Sequence, residues 1–308
     1  MKVSLIATVK NGGGALTEFL TSVRGQTRTP DEVVIVDGGS TDGTLETLRA
    51  AADVTLIESP GANIAEGRNL AVRAATHDVI AVSDADCVLA PDWLELLVAA
   101  VEDGADVAMG FYRPIYRTFF EACSAAVSLP EEHQVNPVRF MPSSRSVAFR
   151  RESLENAGGY PEWLEIGEDM YLNHRLRELG ARMDFVGNAI AFWRVRPTLA
   201  STWRQYYRYA RGDGVAGMHT GRHALRFVVY GIAALAVLTR RRGTLLALGS
   251  AAGWYASGRI RRAVRLLPAR RAQRIGAVGV VPAMMLLADA AKMAGYVAGR
   301  RARSRSRT

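Results

Sequence analysis

From residue 3 to residue 110 the chain repeats one alternation, a short β-branched run followed by a stretch of helical spacing. Nothing else in the sequence constrains the fold as strongly. VSLIATV (3–9) precedes a helical stretch at 16–26, EVVIVD (32–37) one at 41–51, and VTLIE (54–58) one at 64–75. DVIAVSD (78–84) leads into 91–101, and DVAMG (106–110) comes next. Runs of this length joined by helices predict an α/β fold, a Rossmann-like and mostly parallel sheet with helices on both faces. Such sheets bind ligands at the carboxyl ends of their strands. Asp37, Asp84 and Asp86 fall there.

The stretch VIAVSDADCVLAPDW (79–93) sharpens the point, because an apolar run with the character of a core strand stops on two carboxylates. Pro91 and Asp92 already mark a helix start nearby, so a capping role for both Asp84 and Asp86 is redundant. Two acids one residue apart after a strand can share a divalent cation bound to a diphosphate. Hard cations of this kind prefer oxygen and take several ligands from substrate phosphates. The glycine-rich turn KNGGGALTEF does not serve a dinucleotide in the dehydrogenase manner. Gly12 and Gly14 fit the spacing, but Thr17 stands where the third glycine is needed.

Further along, VDGGSTDGT puts Asp37 at a strand end, ready to accept hydrogen bonds from a base or ribose, while Asp42 can equally support the turn. Arg68, on the helix after the third strand, either pairs with a neighbouring acid or presents its planar fork to the nucleotide. Glu168 and Asp169 follow the turn-rich GGYPEWLEIG and open an amphipathic helix. For Asp169 the residues alone leave both a general base and a helix-capping carboxylate open.

Taken in order, VDGGSTDGT, the GRN of 67–69, SDADC as a DxD element and GEDMYLNHRL (167–176) resemble the inverting glycosyltransferases of family 2, which have the GT-A fold. The resemblance covers about residues 1–215. It implies a nucleotide-sugar donor, UDP- or GDP-linked, held by Thr8, Asn11, Asp37, Arg68 and Asp84. It implies Mn²⁺ or Mg²⁺ on Asp86, with Asp169 as general base beside Glu168. It assigns Gln205, Arg208 and Tyr209 to the acceptor and the departing diphosphate. Processive members carry QxxRW at that place; here QYYRY has Tyr for Trp, which argues against processive synthesis.

Charge and hydropathy divide the chain. The net charge is +9, yet the first hundred residues are acidic or near balance and Arg dominates after about residue 194. Apolar runs at 227–238 and 244–258 are shorter than the roughly 20 residues a spanning helix needs, and 276–299 has the length but carries Asp289 and Lys292. Arg blocks flanking such runs suit the headgroup boundary. The expected organisation is a GT-A glycosyltransferase catalytic domain over 1–215, membrane-associated apolar helices over 216–299, and a basic disordered tail over 300–308. It implies a cell-membrane location, the catalytic domain on the cytoplasmic side, with a lipid-linked or cell-envelope polysaccharide acceptor. Val3 to Val9 are too few for a signal peptide and are better read as a first strand. Two cysteines, Cys87 and Cys123, suit a reducing compartment. No nucleic-acid partner is expected. The alternatives are a nucleotidyltransferase of similar fold, or a non-enzymatic membrane or nucleic-acid adaptor acting through the Arg-rich C-terminus.

Overall fold

The computed structural model describes residues 1–268 and 270–305. The first stretch runs β1 (Val3–Val9), α1 (Gly13–Arg24), β2 (Glu32–Asp37), α2 (Thr44–Arg49), β3 (Thr55–Glu58), α3 (Ile64–Ala74), β4 (Val79–Val82) and β5 (Cys87–Leu89). Then come α4 (Trp93–Glu102), β6 (Val107–Ile115), α5 (Phe119–Ser128), β7 (Val147–Arg150), α6 (Arg151–Asn156), α7 (Glu168–Glu178) and β8 (Met183–Arg194). The remainder is helical: α8 (Leu199–Ala216), α9 (Thr220–Leu238), α10 (Arg242–Leu266) and α11 (Arg271–Arg305).

One compact unit comprises Met1–Ile115 and Glu131–Arg194 and holds an eight-stranded sheet ordered β3-β2-β1-β4-β7-β6-β8-β5. The run β3-β2-β1-β4 is wholly parallel, as the strand–helix alternation predicts. Beyond it β7 lies antiparallel to both β4 and β6, and β5 antiparallel to β8, so the sheet is mixed. The alternation ends after β6, where the chain no longer returns through a single crossover helix and β7 enters from the opposite end. Ile6, Val34, Val36, Ile80 and Val82 meet α3, α6 and α7 on one face. Their neighbours Leu5, Ala7, Ile35 and Ala81 alternate with them and are equally buried, so both faces are covered, as a parallel sheet requires. This is the helix-covered, Rossmann-like α/β sheet expected from the sequence, with antiparallel pairings beyond β4.

The other unit comprises Tyr116–Pro130 and the chain from Val195 onward. Compact structure therefore divides at Arg194 rather than near residue 215, and α8 with its QYYRY segment packs among helices. The reason is a backbone contact. Gly295 and Gly299, one turn apart on α11, face α8 so closely that added Cβ atoms would lie 2.2 Å from the Tyr207 carbonyl oxygen and 2.1 Å from that of Arg211. Small residues four apart let two helices approach to this distance. The same pairing carries α11 through Arg305, so residues 300–305, expected to belong to a disordered tail, are helical. Residues 306–308 of that expected tail lie outside the described residues. α9 and α11 are long and apolar enough to cross a membrane by length and composition; α9 gains its length by starting at Thr220, ahead of the apolar run.

Candidate active site

The site is built from loops at the carboxyl ends of β1, β2 and β4 and from the N-terminus of α7. Asp37 closes β2 and is buried, 2 % exposed. One carboxylate oxygen accepts from the backbone N–H groups of Gly39 and Ser40, each at 2.9 Å, and the other from the Ser40 hydroxyl. Asp37 therefore holds the GGS turn, an Asx arrangement of the kind short acids favour. Asn11, with φ of +56°, donates its N–H to the Ser40 hydroxyl at 2.8 Å and accepts from the Thr41 N–H at 2.8 Å, tying the β1 loop to the β2 loop. Asp42 takes the structural alternative: it accepts from the Thr44 hydroxyl at 2.6 Å, and that bond lowers its pKa.

α3 delivers Arg68. Gly67 precedes it because nothing larger fits: a Cβ there would stand 2.9 Å from Cγ2 of Thr8 on β1. Arg68 is buried and donates from Nη2 to Oδ1 of Asp84 at 2.7 Å and from Nη1 to Oε1 of Glu168 at 2.5 Å. Its guanidinium carbon lies 5.2 Å from the Tyr160 ring centroid. Burial alone lowers the arginine's affinity for its proton, but Asp84 and Glu168 more than reverse this and the net shift is upward. Arg68, expected at the nucleotide, is thus enclosed between two acids, the pairing that the sequence left open as its alternative. One side chain joins two acidic motifs, with Glu168 100 residues away along the chain.

Asp84 also receives Arg145, whose Nε stands 3.4 Å from Oδ2, so this acid, expected among the residues that hold the donor, is flanked by two cations. Arg145 lies over the Trp193 ring at 4.5 Å, and its carbonyl accepts from the Ser83 hydroxyl at 2.8 Å. Arg194 donates to the backbone carbonyl of Asp86 at 3.0 Å and pairs with Glu18, which fixes the turn on which Asp86 sits. The Asp86 carboxylate accepts from the Cys87 thiol at 3.8 Å. Burial, then Asp86 and Asp84, push that thiol far up, so Cys87 stays neutral.

At α7, Glu168 is buried, whereas Asp169 is half-exposed and accepts from the Met170 N–H at 2.8 Å. Burial and the neighbouring Asp169 push Glu168 up to about 7 against the pull of Arg68. Glu168 therefore anchors Arg68, and Asp169 is the acid with access to solvent. Asn69 fixes the preceding loop. It donates to the Tyr160 carbonyl at 2.8 Å and to Glu162 at 2.9 Å, and accepts from the Tyr160 N–H at 2.9 Å. Tyr160 shares a hydrogen bond with Ser144 at 2.9 Å, and burial raises its phenol to about 12.

Among the described residues no three His, Cys, Asp or Glu side chains gather as a metal cage. A single carboxylate at Asp86, beside an acid already engaged by two arginines, suits a hard cation that draws its other ligands from phosphates and water. The donor set fits Mn²⁺ or Mg²⁺ on those terms. Gln205, Arg208 and Tyr209 belong to the helical unit, where Gln205 donates to the Tyr209 hydroxyl at 3.3 Å on α8 and Arg208 is exposed. Reading the sequence assigned no role to Arg145, Arg194, Asn69 or Tyr160; the GRN motif contains Asn69 and the turn-rich GGYPEWLEIG contains Tyr160, but neither shows what those side chains would bond.

Residues 4–156 match the sequence model described as Glycosyl transferase family 2. The chain is 25% identical over 222 residues to Glycosyltransferase AglE of Haloferax volcanii, covering 68% of this chain and 72% of that protein. It is 26% identical to the O-antigen chain rhamnosyltransferase RfbN of Salmonella typhimurium, covering 62% of this chain and 65% of the relative. Among solved structures, the mannosyltransferase PcManGT from Pyrobaculum calidifontis, in complex with GDP-Man and Mn²⁺, superposes with a TM-score of 0.57 at 22% identity, covering 97% of this chain and 86% of that one.

Proposed function

The chain belongs to glycosyltransferase family 2, and from this premise we propose that it moves a sugar from a UDP- or GDP-linked donor to a lipid-linked or cell-envelope glycan, with inversion at the anomeric carbon. The observation that carries the reading is Arg68, which draws Asp84 of the DxD element and Glu168 of the helix pair into one buried constellation. Asp86 and Asp169 each adjoin a partner of that arginine.

In this mechanism the loops of Thr8, Asn11 and Asp37 receive the nucleoside. Their hydrogen bonds within the turns pre-shape the cleft, so that little ordering remains when the donor binds. Asp86 would hold Mn²⁺ or Mg²⁺, which supplies charge neutralisation on the donor diphosphate. Arg68 acts through Asp84 and Glu168 by fixing their positions. Asp169 takes the proton of the acceptor hydroxyl as that oxygen bonds to the anomeric carbon. The bond from that carbon to the diphosphate breaks with its electron pair leaving on the nucleotide, and inversion follows from the single displacement. The assignment of Gln205, Arg208 and Tyr209 to acceptor and diphosphate rests on their motif in the sequence.

We place the protein at the cell membrane, its catalytic unit on the cytoplasmic side. α9 leaves Leu225, Val228, Ile232 and Leu235 exposed, and Arg240, Arg241 and Arg242 follow it, a combination suited to the boundary of an anionic bilayer. RfbN is, by its name, an O-antigen chain rhamnosyltransferase.

A panel of nucleotide-sugars with membrane lipid extract as acceptor, read by mass, tests the activity. Asp169→Asn should abolish transfer while donor binding persists, and Asp86→Ala should lose the metal-dependent part of donor binding. Turnover retained by Asp169→Asn removes Asp169 from the mechanism.

A further inference from the structure

In the loop that leads into α7 the sheet unit leaves an indole in water. Trp163 is 57% exposed, yet the chain on either side of it is fixed. The preceding Glu162 is held from the cap and the body of α3, its carbonyl accepting from Asn63 at 2.8 Å and its carboxylate from Asn69 at 2.9 Å. The following Leu164 is buried, and its N–H donates to the Pro161 carbonyl at 3.0 Å. The indole meets the Tyr171 ring edge-on, with centroids 5.3 Å apart and planes at 86°. Tyr171 lies in the first turn of α7, the turn that carries Asp169.

A large apolar ring kept more than half in solvent gives up much of what its burial would contribute to folding. It offers flat contact area at little cost in conformational entropy, the property that makes Trp an anchor in binding sites. The surroundings narrow the ligand. Glu162, Glu165 and Asp169 carry the exposed or half-exposed charge of this segment, against one exposed cation, Arg73, 3.7 Å from Glu162; the balance is acidic, which disfavours phosphate headgroups and an anionic bilayer. A neutral sugar ring matches better: its C–H face is apolar and suits the indole, while its hydroxyls suit carboxylate acceptors. We infer that Trp163, braced by Tyr171 on the helix that opens with Glu168 and Asp169, is the platform on which the acceptor's terminal sugar ring stacks. This rests on the reading of Asp169 as the base for a saccharide acceptor, and it adds the surface that orients that acceptor.

The test uses the full chain as wild type, Trp163→Ala and Trp163→Phe. Methyl glycosides of glucose, galactose, mannose and rhamnose are probed by saturation-transfer NMR, and UDP and GDP are titrated in parallel. Saturation should reach the ring C–H protons of at least one glycoside in wild type and in Trp163→Phe. It should fall about tenfold in Trp163→Ala, as expected for loss of one aromatic anchor. UDP or GDP should bind all three proteins alike. Undiminished saturation in Trp163→Ala overturns the inference, as does binding of nucleotide with no glycoside bound. Loss of anionic-vesicle binding in Trp163→Ala, without glycoside binding, would assign the ring to a membrane and also overturn it. Failure of wild type to bind either nucleotide would instead remove the reading beneath, and this inference with it.

Discussion

Replacing Gly67 by Ala tests the contact that delivers Arg68. The new Cβ would stand 2.9 Å from Cγ2 of Thr8, while Cβ of Thr8 and Cγ1 of Val36 would both lie at an unstrained 3.6 Å. The whole conflict is thus with one methyl group. Relieving it means shifting α3 away from β1, which stretches the 2.7 Å contact between Arg68 and Asp84. Overpacking of this kind costs about 1–3 kcal/mol, offset by the roughly 1 kcal/mol that Ala gains over Gly inside a helix. Thr8→Ser removes the methyl and keeps the hydroxyl. In that background Gly67→Ala should become stabilising by about 1 kcal/mol. Urea denaturation of the four proteins of the cycle gives the coupling directly, expected at about 1–3 kcal/mol in favour of the double variant. Nucleotide titration should show Gly67→Ala weakened and the double variant restored. Additivity within about 0.5 kcal/mol would refute the idea that the missing Cβ sets the seat of α3.

Glu168 ties stability to pH. Its pKa in the fold, about 7, lies above the ordinary value of 4.5, so the fold favours the protonated acid. That contribution is complete below about pH 4.5 and is lost as pH rises through about 7. Glu168→Gln cannot titrate, so its stability relative to wild type should climb across this window in denaturation curves; a flat difference would contradict the assignment. Asn69→Ala leaves the Tyr160 backbone without two partners and should cost about 1–3 kcal/mol by urea denaturation, with transfer reduced because the loop before Asp169 loosens. In the helical unit, Gly299→Leu cannot be seated against the Arg211 carbonyl and should cost about 3 kcal/mol, seen as a lower Tm in detergent. An unchanged Tm would mean that α8 and α11 do not rely on that close approach.

Much of this protein was already written in local pattern. Short, near-continuous apolar runs with helical stretches between them determine the parallel half of the sheet, because each strand must bury both faces under its crossover helices. The carboxylates that stop those strands mark the ligand edge for the same reason. What the sequence could not decide depends on contacts distant along the chain. The antiparallel entry of β7 follows a long excursion with no repeating pattern to betray it. Whether Arg68 faces a nucleotide or closes between Asp84 and Glu168 depends on a partner 100 residues away. Asp37 looked like a ligand group, and only its place in the turn gave its oxygens to Gly39 and Ser40. The Gly295 and Gly299 pair resembled any two glycines in an apolar run until α8 lay against them. Periodicity records which face a residue buries, and so it carries over from sequence to fold. The identity of a polar side chain's partner is a property of three-dimensional packing, and only the tertiary structure decided it.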